Sequence, residues 1–123
     1  MEYKFVKNPA EMQEGEMLIT FYKPENRKPP VLTAWIKGPY LEMEEWVTIT
    51  TNLPGKDAPE GSVFLDHNVA GDMEFVNGLL GYIGEAIKPV FFGPFNTMTY
   101  EMVLKDDYEN LCFDEQKIFG ESE

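Results

Sequence analysis

Apolar residues along the chain recur mainly at every second position. Residues 17–22, 31–36 and 46–51 are rich in β-branched and aromatic side chains and are separated by clusters of Pro, Gly and charge, which predicts three strands. The third alternates cleanly. Trp46, Thr48 and Thr50 fall on one face and Val47, Ile49 and Thr51 on the other, the pattern of a strand half-buried in an antiparallel sheet. Turn signals at Asn52-Leu53-Pro54-Gly55 and Ala58-Pro59-Glu60-Gly61 then lead into a fourth strand at Val63-Phe64-Leu65.

Beyond residue 66 the period changes. After Asn68 or Asp72, either of which can serve as an N-cap, Met73, Phe75, Val76, Leu79 and Leu80 fall at helical spacing. Gly81 or Gly84 is placed to end that helix in the left-handed conformation. Gly78 inside it costs about 1 kcal/mol relative to Ala, which predicts either a short helix or close packing against another backbone. Residues 83–90 and 97–105 read as two more strands, joined by a turn over Phe91-Phe92-Gly93-Pro94-Phe95. Residues 108–119 carry Tyr108, Leu111, Cys112 and Ile118 at the spacing of a short terminal helix. The expected fold is α+β: an antiparallel β-sheet of five or six strands with one helix packed across it. Residues 1–107 form the expected domain, and 108–123 an acidic segment that is either a short helix or partly disordered.

A length of 123 residues suits one hydrophobic core. One Cys excludes an internal disulfide, and one Cys with one His excludes the Cys/His zinc sites. The lone thiol, and an opening Met1-Glu2-Tyr3-Lys4-Phe5-Val6 that lacks the basic-then-apolar order of a cleaved leader, predict a cytoplasmic protein. No apolar run approaches the roughly 20 residues of a membrane span.

Charge changes the picture more. The formal net charge is −12, and it is uneven: residues 1–40 carry six bases and five acids, whereas 41–123 carry four bases and seventeen acids. Such a surface repels the phosphates of lipid and nucleic acid and complements a basic protein, with a monomer favoured over a homodimer.

Candidate chemistry is sparse. His67 lies between Asp66 and Asn68, but sequence neighbours at a strand end point opposite ways, so Asp66 cannot orient the imidazole as in a triad. The corner is expected to use Asp66 or Asn68 to bind backbone amides. Cys112 has Asp114 and Glu115 nearby, which raise a thiol pKa when a nucleophile needs it lowered. Glu42, Glu44 and Glu45 lack the spacing of a calcium loop, and Gly78, Gly81 and Gly84 lack that of a phosphate turn. No catalytic, cofactor or metal residue is predicted.

Four stretches resemble a known family: Trp46-Val47-Thr48-Ile49-Thr50-Thr51-Asn52-Leu53-Pro54-Gly55, Pro59 through Asn68, Glu74-Phe75-Val76, and Gly93 through Glu101. Over about residues 33–105 they resemble a family of short uncharacterised bacterial proteins often encoded on conjugative and other mobile elements. The family carries a second Asn where this chain has His67, and a Trp where it has Met73. The resemblance implies a mobile-element setting and no activity.

Charge and aromatics together lead to a functional expectation. Aromatic rings beside carboxylates make a surface whose rings anchor in a pocket while the acids pair with Lys and Arg around it. The expected contacts are Glu101, Asp106, Asp107, Glu109, Asp114 and Glu115, then Glu42, Glu44 and Glu45, with Phe91, Phe92, Phe95 and Tyr108 as exposed rings. The expected partner is a basic nucleic-acid-handling protein such as an RNA-guided or restriction nuclease, met by carboxylates in place of phosphates. The alternative is an accessory module of a mobile element whose acidity serves solubility only, and which binds through a sheet edge or residues 91–95.

Overall fold

Ile49 divides what reads as one strand into two. The structure, a computed structural model that describes residues 3–24, 29–40 and 43–115, has β-strands at both sides of it but in different sheets. The fully buried Ile49 donates its N–H to Leu32 O at 2.8 Å and accepts the N–H of Asp66 at 2.8 Å. A single residue thus hands the chain from one sheet to the next, and the expected single sheet becomes two.

The first sheet runs β1 (Phe5–Val6), β2 (Met17–Tyr22), β3 (Val31–Lys37), β4 (Met43–Thr48) in that order. A late strand, β9 (Phe113–Asp114), joins it on β2. β1 pairs with Met17 and Leu18, and β9 with Thr20 and Phe21, both parallel, so two segments remote in sequence close one edge of β2 in tandem. Met17, Leu18, Ile19 and Thr20 are all buried, which covers both faces of β2. The buried Thr20 hydroxyl is satisfied: it accepts from Trp35 Nε1 at 3.1 Å and donates to Thr33 O at 3.4 Å.

The second sheet comprises β5 (Thr50–Thr51), β6 (Ser62–Leu65), β7 (Gly84–Phe92) and β8 (Thr97–Leu104), in the antiparallel order β5-β6-β8-β7. Phe91 and Phe92 belong to β7, not to the turn. The turn is residues 93–96, where Gly93 and Asn96 take the positive φ values of 77° and 55°.

Two helices link β6 to β7: α1 (His67–Ala70) and α2 (Met73–Tyr82). Asp66 caps the first by accepting from Asn68 N at 3.0 Å, and Asp72 caps the second by accepting from Phe75 N at 3.2 Å. Asp72 also accepts from the Tyr3 hydroxyl at 3.0 Å. Asp72→Ala is expected to cost about 1 kcal/mol in urea unfolding, with Asp72→Asn recovering most of it. Glycine does not end α2. The helix runs through Gly81 and is capped by Ile83 at φ −117°. Gly84 serves a different end: a Cβ there would lie 2.7 Å from Met102 Sδ, so the buried Met102 side chain lies over the space that its absence leaves. Gly78 packs, as its position suggests, but against side chains and not against backbone: a Cβ there would lie 3.3 Å from the Phe5 ring.

The core lies between the sheets and beneath α2. Met17, Ile19, Leu32 and Ala34 come from the first sheet, Val63, Leu65, Met102 and Leu104 from the second, and Phe75, Val76 and Leu79 from the helix. After β8, α3 (Tyr108–Leu111) is one turn long, and the chain is extended by Cys112. The Tyr82 hydroxyl donates to Leu111 O at 2.5 Å, which ties α3 to the end of α2. The expected helix over 108–119 is therefore a single turn followed by β9, with residues 116–119 outside the described residues.

Candidate functional site

The expected contact residues separate into three groups once folded. Asp106 and Asp107 are exposed in the turn between β8 and α3, and Glu109 is exposed on α3, where Lys23 Nζ binds its carboxylate at 2.6 Å. That hydrogen bond raises the Lys23 pKa, and at a surface the pair contributes little to stability. Tyr108 is no exposed anchor. Its ring packs edge-on to Phe21 at 6.1 Å, and burial, more than the neighbouring Glu109, holds its hydroxyl above the usual range.

The second group is built by the first sheet. Glu44 and Glu45 lie exposed on the edge strand β4, whereas Asp114 on β9 and Glu115 just beyond it are half-buried; Glu42 lies outside the described residues. The charge of Glu45 on one outer strand is felt at Glu115 beyond the other. The Glu115 carboxyl is raised above the usual carboxylate range by burial, then by Glu45 and by Asp114. Like charges gathered in this way disfavour the ionised form, so this corner costs the fold stability at neutral pH. Beside it the ladder slips: Trp35 pairs with Glu45 and Ala34 with Val47, leaving Trp46 as the extra residue of a β-bulge. Trp46 is 52% exposed. An alternating pattern carries no sign of a bulge, so this ring is legible only in the fold.

The third group lies on the β7–β8 hairpin. Phe95 is 90% and Phe91 49% exposed, whereas Phe92 is half-buried. Glu101 departs from the expected surface run altogether. It is 8% exposed and pairs with Lys88, whose Nζ lies 3.4 Å from its carboxylate. Strand register sets Phe64, Glu101 and Lys88 side by side across β6, β8 and β7. With Lys56 and Asp57 of the preceding loop they line a cleft of about 480 Å³.

Two other groups have settled roles. His67 lies at the start of α1 with Nδ1 3.4 Å from Met98 O, and the Asp66 carboxylate beside it is engaged as a cap. Burial first, and Glu109 second, push the Cys112 thiol up to about 12. The sign is as expected, but Asp114 and Glu115 are not its cause. Among the described residues no group of three or more His, Cys, Asp or Glu could hold a metal ion, and no helix is long and apolar enough to cross a membrane. No family model, curated protein or solved structure matches the chain.

Proposed function

We propose that this α+β domain is a non-catalytic binding protein that docks on a basic, nucleic-acid-handling protein, its carboxylates standing where phosphates would. Support comes from the first sheet's acids: the Glu115 carboxyl is raised by burial first and then by the charges of Glu45 and Asp114. The like-charge part of that shift is a cost to the free protein, and a basic partner offsets it. Trp46 beside them supplies the ring that such interfaces favour at their centre. Nucleic-acid channels are lined to meet one charge per ~1.7 Å of duplex, and an ordered acidic face meets that field without offering a cleavable bond. The mobile-element resemblance gives this a setting, that of an anti-CRISPR or anti-restriction inhibitor.

Purified protein incubated with RNA-guided and restriction nucleases tests this directly. Capture is expected at low salt, with release by high salt and by competing DNA. The Glu44→Lys/Glu45→Lys double variant is expected to lower affinity at least about tenfold, because a like charge now faces the basic surface. Binding that resists both salt and this reversal overturns the reading. It would point instead to the accessory-module alternative, which the exposure of Phe91 and Phe95 favours, and Phe95→Ala would then abolish capture.

A further inference from the structure

Glu101 is the one buried charged residue among the described residues. Its face of the second sheet points away from the core that holds Met102 and Val63, so packing of the main core does not account for its burial. An ionised carboxylate offers about four acceptor positions. Among the described residues Glu101 uses them for one contact, with Lys88 at 3.4 Å, longer than a charge-assisted bond of about 2.7–2.9 Å. Lys88 itself is 67% exposed along its side chain, so it leaves for water at little cost.

Around this carboxylate the cleft walls are Phe64, Pro89, Val90 and Phe91, with Lys56 and Asp57 at the loop side. Two cations and two anions line it, but they are not equivalent. Glu101 is the buried one, and its backbone is fixed between two strands, whereas Lys56 and Lys88 are exposed and free to swing. An anion entering to meet the lysines must also settle against Glu101. A cation replaces Lys88 one for one and leaves the charge balance unchanged.

We infer that this cleft receives an arginine side chain of the partner. A guanidinium presents planar paired donors that match a carboxylate, exchanging one long contact for two short ones, and its flat face packs against the ring of Phe64, which strand register sets beside Glu101 on the same face. Lys88 acts as an internal stand-in for the incoming cation. This rests on the reading of a basic partner, and it adds the position and chemistry of one anchor to that long-range attraction.

Titration of the isotope-labelled full chain with N-acetyl-L-arginine methylamide, followed by NMR, tests the cleft without any partner protein. Saturable shifts are expected at the Glu101 side chain and at Lys88 and Phe64. Glu101→Gln is expected to weaken binding about tenfold. Lys88→Ala, an exposed substitution that leaves the core untouched, is expected to tighten it severalfold by removing the competitor. Shifts at Glu101 that fail to saturate, inorganic phosphate binding in place of arginine, or weaker arginine binding by Lys88→Ala would each overturn the inference. The Glu44→Lys/Glu45→Lys variant keeps the cleft intact, so it is expected to bind arginine normally while losing the nuclease. The two readings therefore fail separately.

Discussion

Phe75→Ala is expected to lower stability by about 3–5 kcal/mol, the largest single effect in the chain. Phe75 sits in the first turn of α2 and is almost fully buried. Its ring meets Tyr3 edge-on with centroids 5.1 Å apart, and Phe5 at 6.3 Å. Phe5 in turn stacks on Tyr82 at 5.0 Å. Truncation therefore leaves a cavity and also loosens the N-terminal segment from the helix. In urea the midpoint should fall with an unchanged slope. A loss below about 1 kcal/mol would mean that the neighbouring rings collapse into the space.

Ile49→Ala is expected to cost about 2–5 kcal/mol, and Ile49→Val about 0.5–1.5. The backbone bonds to Leu32 and Asp66 survive both substitutions, so the loss reports packing between the sheets and not the crossover itself. If Ala costs no more than Val, the two sheets do not share one core at this point. Cooperative unfolding seen by a Trp probe in the first sheet and by backbone amides in the second would establish that they do.

Most elements were legible because their residues carry a period. The two central strands of the first sheet, the strand at 62–65 and the helix beginning at Met73 each declare themselves by spacing, and the acidic caps by position. Period alone does not say which strands are partners. Alternation from Trp46 to Thr51 is unbroken while the chain changes sheets at Ile49, and β1 and β9 have two residues each, too few to show any period. The turn at residues 93–96 was displaced because Phe91 and Phe92 extend the strand past the expected boundary.

Glu101 shows a different limit. A run of acids reads as a solvated face, yet Met98, Tyr100, Met102 and Leu104 alternate along β8 and place Glu101 on the opposite side. What the sequence does not announce is that this second side is also covered, with Phe64 and Thr99 buried there as well. A cleft made by a loop folding onto a strand is a tertiary feature. Likewise the bulge at Trp46 is a slip in pairing, which leaves composition and hydropathy unchanged.

The tandem closure of β2 bears on how the molecule avoids self-association. An uncovered strand edge is a template for growth by identical chains. Here one edge of β2 is occupied by β1 and then β9, while the outer strands β4 and β7 carry their own obstacles: Glu44, Glu45 and a bulge on β4, Lys88 and Pro89 on β7. Because the two closing segments come from distant parts of the chain, displacement of either one exposes only half of the template. The protein is thereby guarded against fibrillar growth by its topology as well as by the charges on its outer strands.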